Sequence, residues 1–235
     1  MNSLKILSGG AVQGLVASLA AKFTALTGLA ISGEFGAVGA MAGKLRDGAA
    51  ADIVVLTAAM IADLVRENLV AAASVADIGV VETAIAIRAG DRPVPVHDAD
   101  ALRAAFLAAD AIFVPDTKAS TAGIHVARIL KQLGIADQAA SRLKVFPNGA
   151  TAMRNLAQST AARPIGCTQS TEIINTAGVA LSGSLPRECG LSTVYTAAVA
   201  AQALDPDRAQ VLIDLLTAAD AAELRMRAGF LEVRK

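Results

Sequence analysis

The chain has 235 residues, enough for one large domain or two small ones with a true core. Hydrophobic residues make up 54% and charged residues 18%, which excludes global disorder, and the 21 basic residues cancel the 21 acidic ones, which argues against nucleic acid as a partner. Aromatics are only 3%, with no Trp and one Tyr, so no stacking platform for sugars or bases is expected.

In chain order, Leu4–Leu7 is a short apolar run that predicts a strand. Ser8-Gly9-Gly10 follows, and then Val12, Leu15, Val16, Leu19 and Phe23 fall at helical spacing. Gly28 stops that helix, and Leu29–Phe35 reads as the next strand. Gly36-Ala37-Val38-Gly39 leads into a helix through Met41, Leu45 and Arg46, ended by Gly48. Asp52–Leu56 is a continuous apolar strand of the kind buried on both faces of a parallel sheet, and a helix through Met60, Ile61, Leu64 and Val65 comes next. This alternation predicts an α/β protein with a parallel sheet covered by helices.

Near Val80 the pattern changes. Val81–Ile87 is a longer strand with a polar start, and Ala89–Pro95 reads as a turn or extended loop. A helix near Asp98–Ala109 leads to a strand at Ala111–Val114. Pro115-Asp116-Thr117-Lys118-Ala119-Ser120 opens a helix through Ile124, Ala127, Ile129 and Leu133. Lys144–Phe146 and Pro164–Cys167 are strands, each followed by a helix, at Asn148-Gly149 and at Thr168-Gln169-Ser170. Val179–Leu181 and the long apolar run Leu191–Ala200 are the last strands. Asp205-Pro206 then sets a helix start, with Asp as N-cap and Pro at the first helical position, and the chain ends helical. The expected organisation is two α/β lobes, one of residues 1–80 with 196–235 and one of residues 81–195. Crossovers near Val81 and Tyr195 would act as a hinge that closes on a ligand.

The helix starts at Ser8-Gly9-Gly10, Gly36–Gly39, Lys118–Thr121 and Thr168–Ser170 all follow polar or glycine-rich loops. A helix N-terminus offers free N–H groups and a positive dipole end, so such loops suit a small anion; equally, they suit an ordinary capped helix. Ser8-Gly9-Gly10 lacks the third glycine and the later acidic residue of a dinucleotide fingerprint, so nucleotide binding is rejected.

Three segments, LKILSGGAVQGLVASLAAKFTALTG, GAVGAMAGKLRDGAAADIVVLTAAMI and FVPDTKASTAGIHVARILKQLG, resemble the molybdate-binding proteins of the type II periplasmic solute-binding class. The second is the most telling, with a helix ending in Asp47-Gly48 and Ala51-Asp52 opening a strand. The resemblance implies a two-lobed type II periplasmic-binding-protein fold, each lobe a mixed, mostly parallel sheet flanked by helices. It also implies an anion held in the interlobe cleft by hydroxyls and backbone amides. On that basis the ligand-binding set is Ser8, Gly9, Gly10, Ala11, Ala37, Val38, Gly39, Thr57, Lys118, Ser120, Thr121, Ala122 and Gln169. Ala11 stands where the family has Ser, the second loop has Gly, Ala and Val in place of a serine-rich stretch, and Gln169 stands where the family often has Tyr. A tetrahedral oxyanion needs a dense ring of donors to replace its water shell, so an organic carboxylate is the expected ligand.

Candidate catalytic groups are Glu82, at the start of the first crossover strand, and His125, in the third of these helices. Either would serve the alternative reading, an isomerase of small unsaturated di- or tricarboxylates such as aconitate, which some proteins resembling this family are. A solvated Glu and a structural His are the competing readings. Cys167 and Cys189 show no metal-ligand spacing and read as reduced thiols. No metal or cofactor is expected. Mean hydropathy is +0.52, yet charges or glycines break every apolar run before the roughly 20 residues of a membrane span. Lys5 interrupts the only N-terminal apolar stretch, so no secretory signal is read. The expectation is a cytoplasmic protein as written, or a periplasmic one if a signal has been removed. Its partners would be the anion and, if exported, an ABC permease.

Overall fold

The computed structural model describes residues 3–233. By internal contacts the chain divides into two units. The first runs to Val80 and resumes at Thr193, and the second is Val81–Ser192.

The first unit begins with β1 (Ser3–Gly9), α1 (Gln13–Thr27), β2 (Ala30–Gly36), α2 (Val38–Arg46), β3 (Ile53–Thr57) and α3 (Ala58–Arg66). β1 pairs parallel with β2 on one side and with β3 on the other. The four residues Ile53–Leu56 are fully buried, as the unbroken apolar run required of a strand covered on both faces. α1 turns Leu15, Val16, Leu19 and Phe23 to the core, and α2 turns Val38, Met41, Ala42 and Leu45. β2 is mostly exposed, because it is the outer strand and, among the described residues, pairs with β1 alone.

β4 (Ala76–Arg88) carries the chain into the second unit, through α4 (Ala99–Ala108), β5 (Ala111–Pro115), α5 (Thr121–Gln132), α6 (Ala136–Ala140), β6 (Leu143–Phe146), α7 (Gly149–Ala157), β7 (Pro164–Gln169), α8 (Ser170–Ile174) and β8 (Val179–Ser184). β5 pairs parallel with β6 and β7, and β4 pairs antiparallel with β7 and β8. Both faces of this sheet are covered. Ile85, Ile112, Ile165 and Cys167 pack with Leu102, Phe106, Val126 and Ile129 of α4 and α5. Ala84, Ala86 and Phe113 face Met153 and Leu156 of α7 on the other side. The chain returns through β9 (Ser192–Val199), antiparallel to β3, and ends in α9 (Pro206–Thr217) and α10 (Ala222–Arg227). Asp205 caps α9 with its carboxylate on the Arg208 N–H, and Pro206 takes the first helical position, as the sequence indicates.

The mixed α/β architecture is the one expected. β4 differs in starting at Ala76 rather than Val81. The extra residues are recruited by distant partners: Val80 exchanges two backbone hydrogen bonds with Leu231, and the Asp77 carboxylate accepts from the Thr196 hydroxyl at 2.6 Å. The third of the loop-led helices is an ordinary 12-residue one, but the fourth, α8, is only five residues long. α6 has no counterpart in the sequence reading. Among the described residues no helix is long and apolar enough to cross a membrane.

Candidate functional site

In each unit the candidate ligand residues gather at one edge of the sheet. Parallel strands bring their C-terminal ends, and the loops leading into the next helices, to the same side. In the first unit Gly9 is in register with Gly36, and Ser8 with both Phe35 and Val55. This places Ser8, Gly9, Gly10 and Ala11, then Ala37, Val38 and Gly39, then Thr57, along that edge. Gly9 is required here by close approach. A Cβ would lie 2.8 Å from Val38 Cγ1 and 2.9 Å from Tyr195 Cε1. Ser8 is fully buried, and its hydroxyl donates to the Gly9 carbonyl at 3.0 Å. Ala11, Ala37 and Val38 are buried as well. The Thr57 hydroxyl is engaged, as the cap of α3 on the Met60 N–H.

In the second unit Lys118, Ser120, Thr121 and Ala122 follow the end of β5, and Gln169 ends β7, two parallel neighbours. Lys118 is exposed, and Asp116 organises the loop by accepting from the Lys118 and Ala119 N–H groups. Those two bonds hold the Asp116 carboxyl below the ordinary carboxylate range. Gln169 is 3% exposed, and neither atom of its amide has a hydrogen-bond partner among the described residues. Thr83, its register partner on β4, is buried with an unpartnered hydroxyl, and so is Thr171 on α8.

Helix starts fall into two sets. Among helices of nine residues or more, α3, α4, α7 and α9 are capped by the side chains of Thr57, Asp98, Asn148 and Asp205. α1, α2 and α5 have no side-chain cap. Those three uncapped helices are the ones that the glycine-rich and polar loops precede. At α2 and α5 the first N–H groups are therefore available to an anion, whereas α1 continues a 3-10 turn, Gly10–Val12, and its Gln13 N–H donates to the Gly10 carbonyl.

α7 goes further in the opposite direction. Glu172 of α8 is buried, and the backbone amides of Gly149, Ala150 and Gln169 and the Thr168 hydroxyl, at 2.5 Å, all address its carboxyl. Burial pushes its pKa up and the donors pull it down, with burial the stronger. A Cβ at Gly149 would collide with that carboxyl and with Thr168.

The two candidate acid–base groups differ in kind. His125 is buried; its Nε2–H donates to the Cys189 carbonyl and its Nδ1 accepts from Arg128, both at 2.8 Å. Burial first, and the nearby Arg128 charge, lower its pKa, so the ring is held neutral with both nitrogens committed. Glu82 is half-buried and accepts from the Ser184 hydroxyl at 2.7 Å. With Thr83, Ser184, Arg187 and Ser192 it lines a cavity of about 330 Å³. A larger hollow of about 490 Å³ lies at the opposite edge of the first unit's sheet, beside Lys5, Asp52 and Arg208. Its buried acid, Asp52, is saturated by the N–H groups of Lys5, Leu204 and Asp205. The Cys167 thiol is pushed up well beyond its ordinary pKa by burial, which leaves it inert. Among the described residues no group of three or more His, Cys, Asp or Glu is placed to hold a metal ion.

Thr83, Thr171 and Glu172 escape the sequence reading. Their roles come from strand register and from a helix of another segment, and only the Thr168-to-Glu172 spacing of one helical turn leaves a local trace.

A family model described as bacterial extracellular solute-binding protein matches residues 4–231. The chain is 26% identical over 232 residues to an aconitate isomerase of Pseudomonas sp., covering 95% of this chain and 85% of that one. In structure it is similar to the periplasmic molybdate-binding protein of Azotobacter vinelandii, with a TM-score of 0.81 at 18% identity over 99% of this chain and 100% of that one. It is also similar to the sulfate-binding protein SubI of Mycobacterium tuberculosis H37Rv, with a TM-score of 0.74 at 18% identity over 99% and 88%.

Proposed function

We propose a function for this chain, which belongs to the bacterial extracellular solute-binding protein family: it captures a small anion, and that anion is an organic carboxylate rather than a molybdate-type oxyanion. One observation carries the reading. The Gln169 amide is buried at a strand end beside the uncapped start of α5, with both polar atoms unpartnered. Leaving buried polar atoms unpaired costs about 1–3 kcal/mol each, a cost that a ligand's own polar atoms remove. The uncapped starts of α2 and α5 offer further N–H donors without adding a fixed charge. The choice of carboxylate rests on Ala11, Ala37 and Val38, whose buried side chains offer no hydroxyl. A tetrahedral oxyanion stripped of water needs more donors than such a lining provides. Ser8, Gly9, Gly10, Gly39, Lys118, Ser120, Thr121 and Ala122 complete the proposed set, and an ABC permease is the partner proposed for an exported form.

Thermal melting against molybdate, tungstate, sulfate and a series of di- and tricarboxylates tests this directly, since a ligand of the native state raises Tm. Carboxylates are expected to raise it and metal oxyanions to leave it unchanged; the reverse pattern overturns the assignment. Gln169→Leu is expected to raise Tm of the ligand-free chain and to remove most of the ligand-induced shift.

A second reading, isomerisation of an unsaturated tricarboxylate, is favoured by the 26% identity to an aconitate isomerase over nearly the whole chain. With both nitrogens of His125 engaged, Glu82 is the candidate left to act, since Ser184 addresses only its Oε2. Its carboxylate would take a proton from one allylic carbon and return it to the other as the double bond shifts, so no external acid, base or redox partner is consumed. Incubation with cis- or trans-aconitate should then interconvert the two, and Glu82→Gln should abolish conversion while keeping binding. Absence of conversion in the wild type rules this reading out.

A further inference from the structure

We infer that the Gln169–Thr83 pair selects a ligand that carries its own hydrogen-bond donor next to a carboxylate, as a 2-hydroxycarboxylate does, and rejects anions that can only accept. This rests on the anion-binding reading and narrows its ligand class.

Thr83 and Gln169 are directly opposed in the antiparallel β4–β7 pair, so their side chains leave the same face of the sheet with Cβ atoms about 5 Å apart. That is the face on which Ile85 and Cys167, two residues further along each strand, pack against α5. Both residues are buried, at 1% and 3% exposure, and none of their side-chain polar atoms is satisfied among the described residues. The backbone around Thr83 is fixed: its N–H donates to the Leu191 carbonyl and its carbonyl accepts from the Leu185 N–H. The pair is therefore held by the β4–β7 pairing and by the segment that joins β8 to β9, which supplies Leu185 and Leu191.

The chemistry of a carboxamide then sets the requirement. Its NH2 donates and its oxygen accepts, and this is true whichever way the amide is turned. A fully deprotonated anion can take the NH2 donors but brings no proton to the oxygen, which is left buried and facing negative charge. A ligand with a hydroxyl beside its carboxylate answers both atoms, and the Thr83 hydroxyl can donate or accept to fit. Sites built to bond a ligand hydroxyl discriminate strongly against the analogue that lacks it, because the unmatched protein atom stays unpaired.

Calorimetric titration of the full chain with matched pairs, malate against succinate and citrate against tricarballylate, is the test. The hydroxyl-bearing member of the preferred pair is expected to bind at least tenfold tighter. Gln169→Leu should bring the two members of that pair within about twofold of each other, and Thr83→Val, of nearly the same shape, should shrink the preference several-fold. Equal wild-type affinity for both members overturns the inference while leaving anion capture intact, as does a preference that survives in both variants. If no anion in the carboxylate, molybdate, tungstate and sulfate series binds, the anion-binding reading fails and takes this inference with it.

Discussion

α5 and α7 leave neighbouring parallel strands of one sheet, yet their N-termini are finished in opposite ways. At α7 the Asn148 side chain accepts from the Thr151 N–H at 2.8 Å, and the buried Glu172 carboxyl draws the Gly149 and Ala150 amides. At α5 the Ser120 side chain makes no cap, and the Gln169 amide has no partner among the described residues. The same helical dipole is thus answered by a resident carboxyl in one place and left unanswered in the other. The start of α7 is closed with the chain's own oxygens, and on the proposed reading the start of α5 is left for those of a ligand.

Perturbing the closed start should have the largest effect. Gly149→Ala drives a methyl into the Glu172 carboxyl and Thr168, and overpacking of this kind is expected to cost about 3 kcal/mol in a urea melt. Glu172→Gln replaces an acceptor by an NH2 group among amide donors, and a loss of about 2 kcal/mol is expected. Asn148→Ala should cost about 1 kcal/mol, whereas Ser120→Ala should cost almost nothing, because only the first removes a cap. Equal losses at those two caps would erase the contrast between the helices.

The smallest effect is expected on acidification. His125 is held neutral, with a folded pKa below its ordinary value. Between those two values the unfolded chain takes up a proton that the folded chain refuses, so stability falls as pH drops through that window. Arg128 and the Cys189 carbonyl are the groups on the ring, and protonation would set a second cation against Arg128. His125→Gln should flatten this part of the pH–stability profile measured by denaturant melts; an unchanged slope would show that the ring does not titrate there.

Much of the fold is legible in the sequence because buried parallel strands leave unbroken apolar runs. Ile53–Leu56 and Ala111–Val114 are read directly, and each is followed by a helix with a recognisable stripe. What escapes is set by partners far away in the chain. The early start of β4 depends on Leu231, and the pairing of Thr83 with Gln169 depends on antiparallel register. The loops of the candidate site are visible as glycine-rich or polar helix starts, but which of them are capped is not. Asn148-Gly149 and Lys118–Thr121 look alike as sequence. The Asn148 cap and the arrival of Glu172 from α8 separate them. His125, a candidate proton carrier by position, turns out to tie α5 to the segment carrying Cys189, a contact no local pattern encodes.

An amide left buried without partners also bears on how long the protein lasts. The empty chain forgoes the stabilisation that occupancy would bring, so a larger fraction of it is open at any moment to a protease. On the proposed reading, capture of the solute would divide that fraction by one plus the ratio of free solute to its Kd. Abundance would then follow supply without any change in synthesis, with scarce solute leaving a population that turns over quickly.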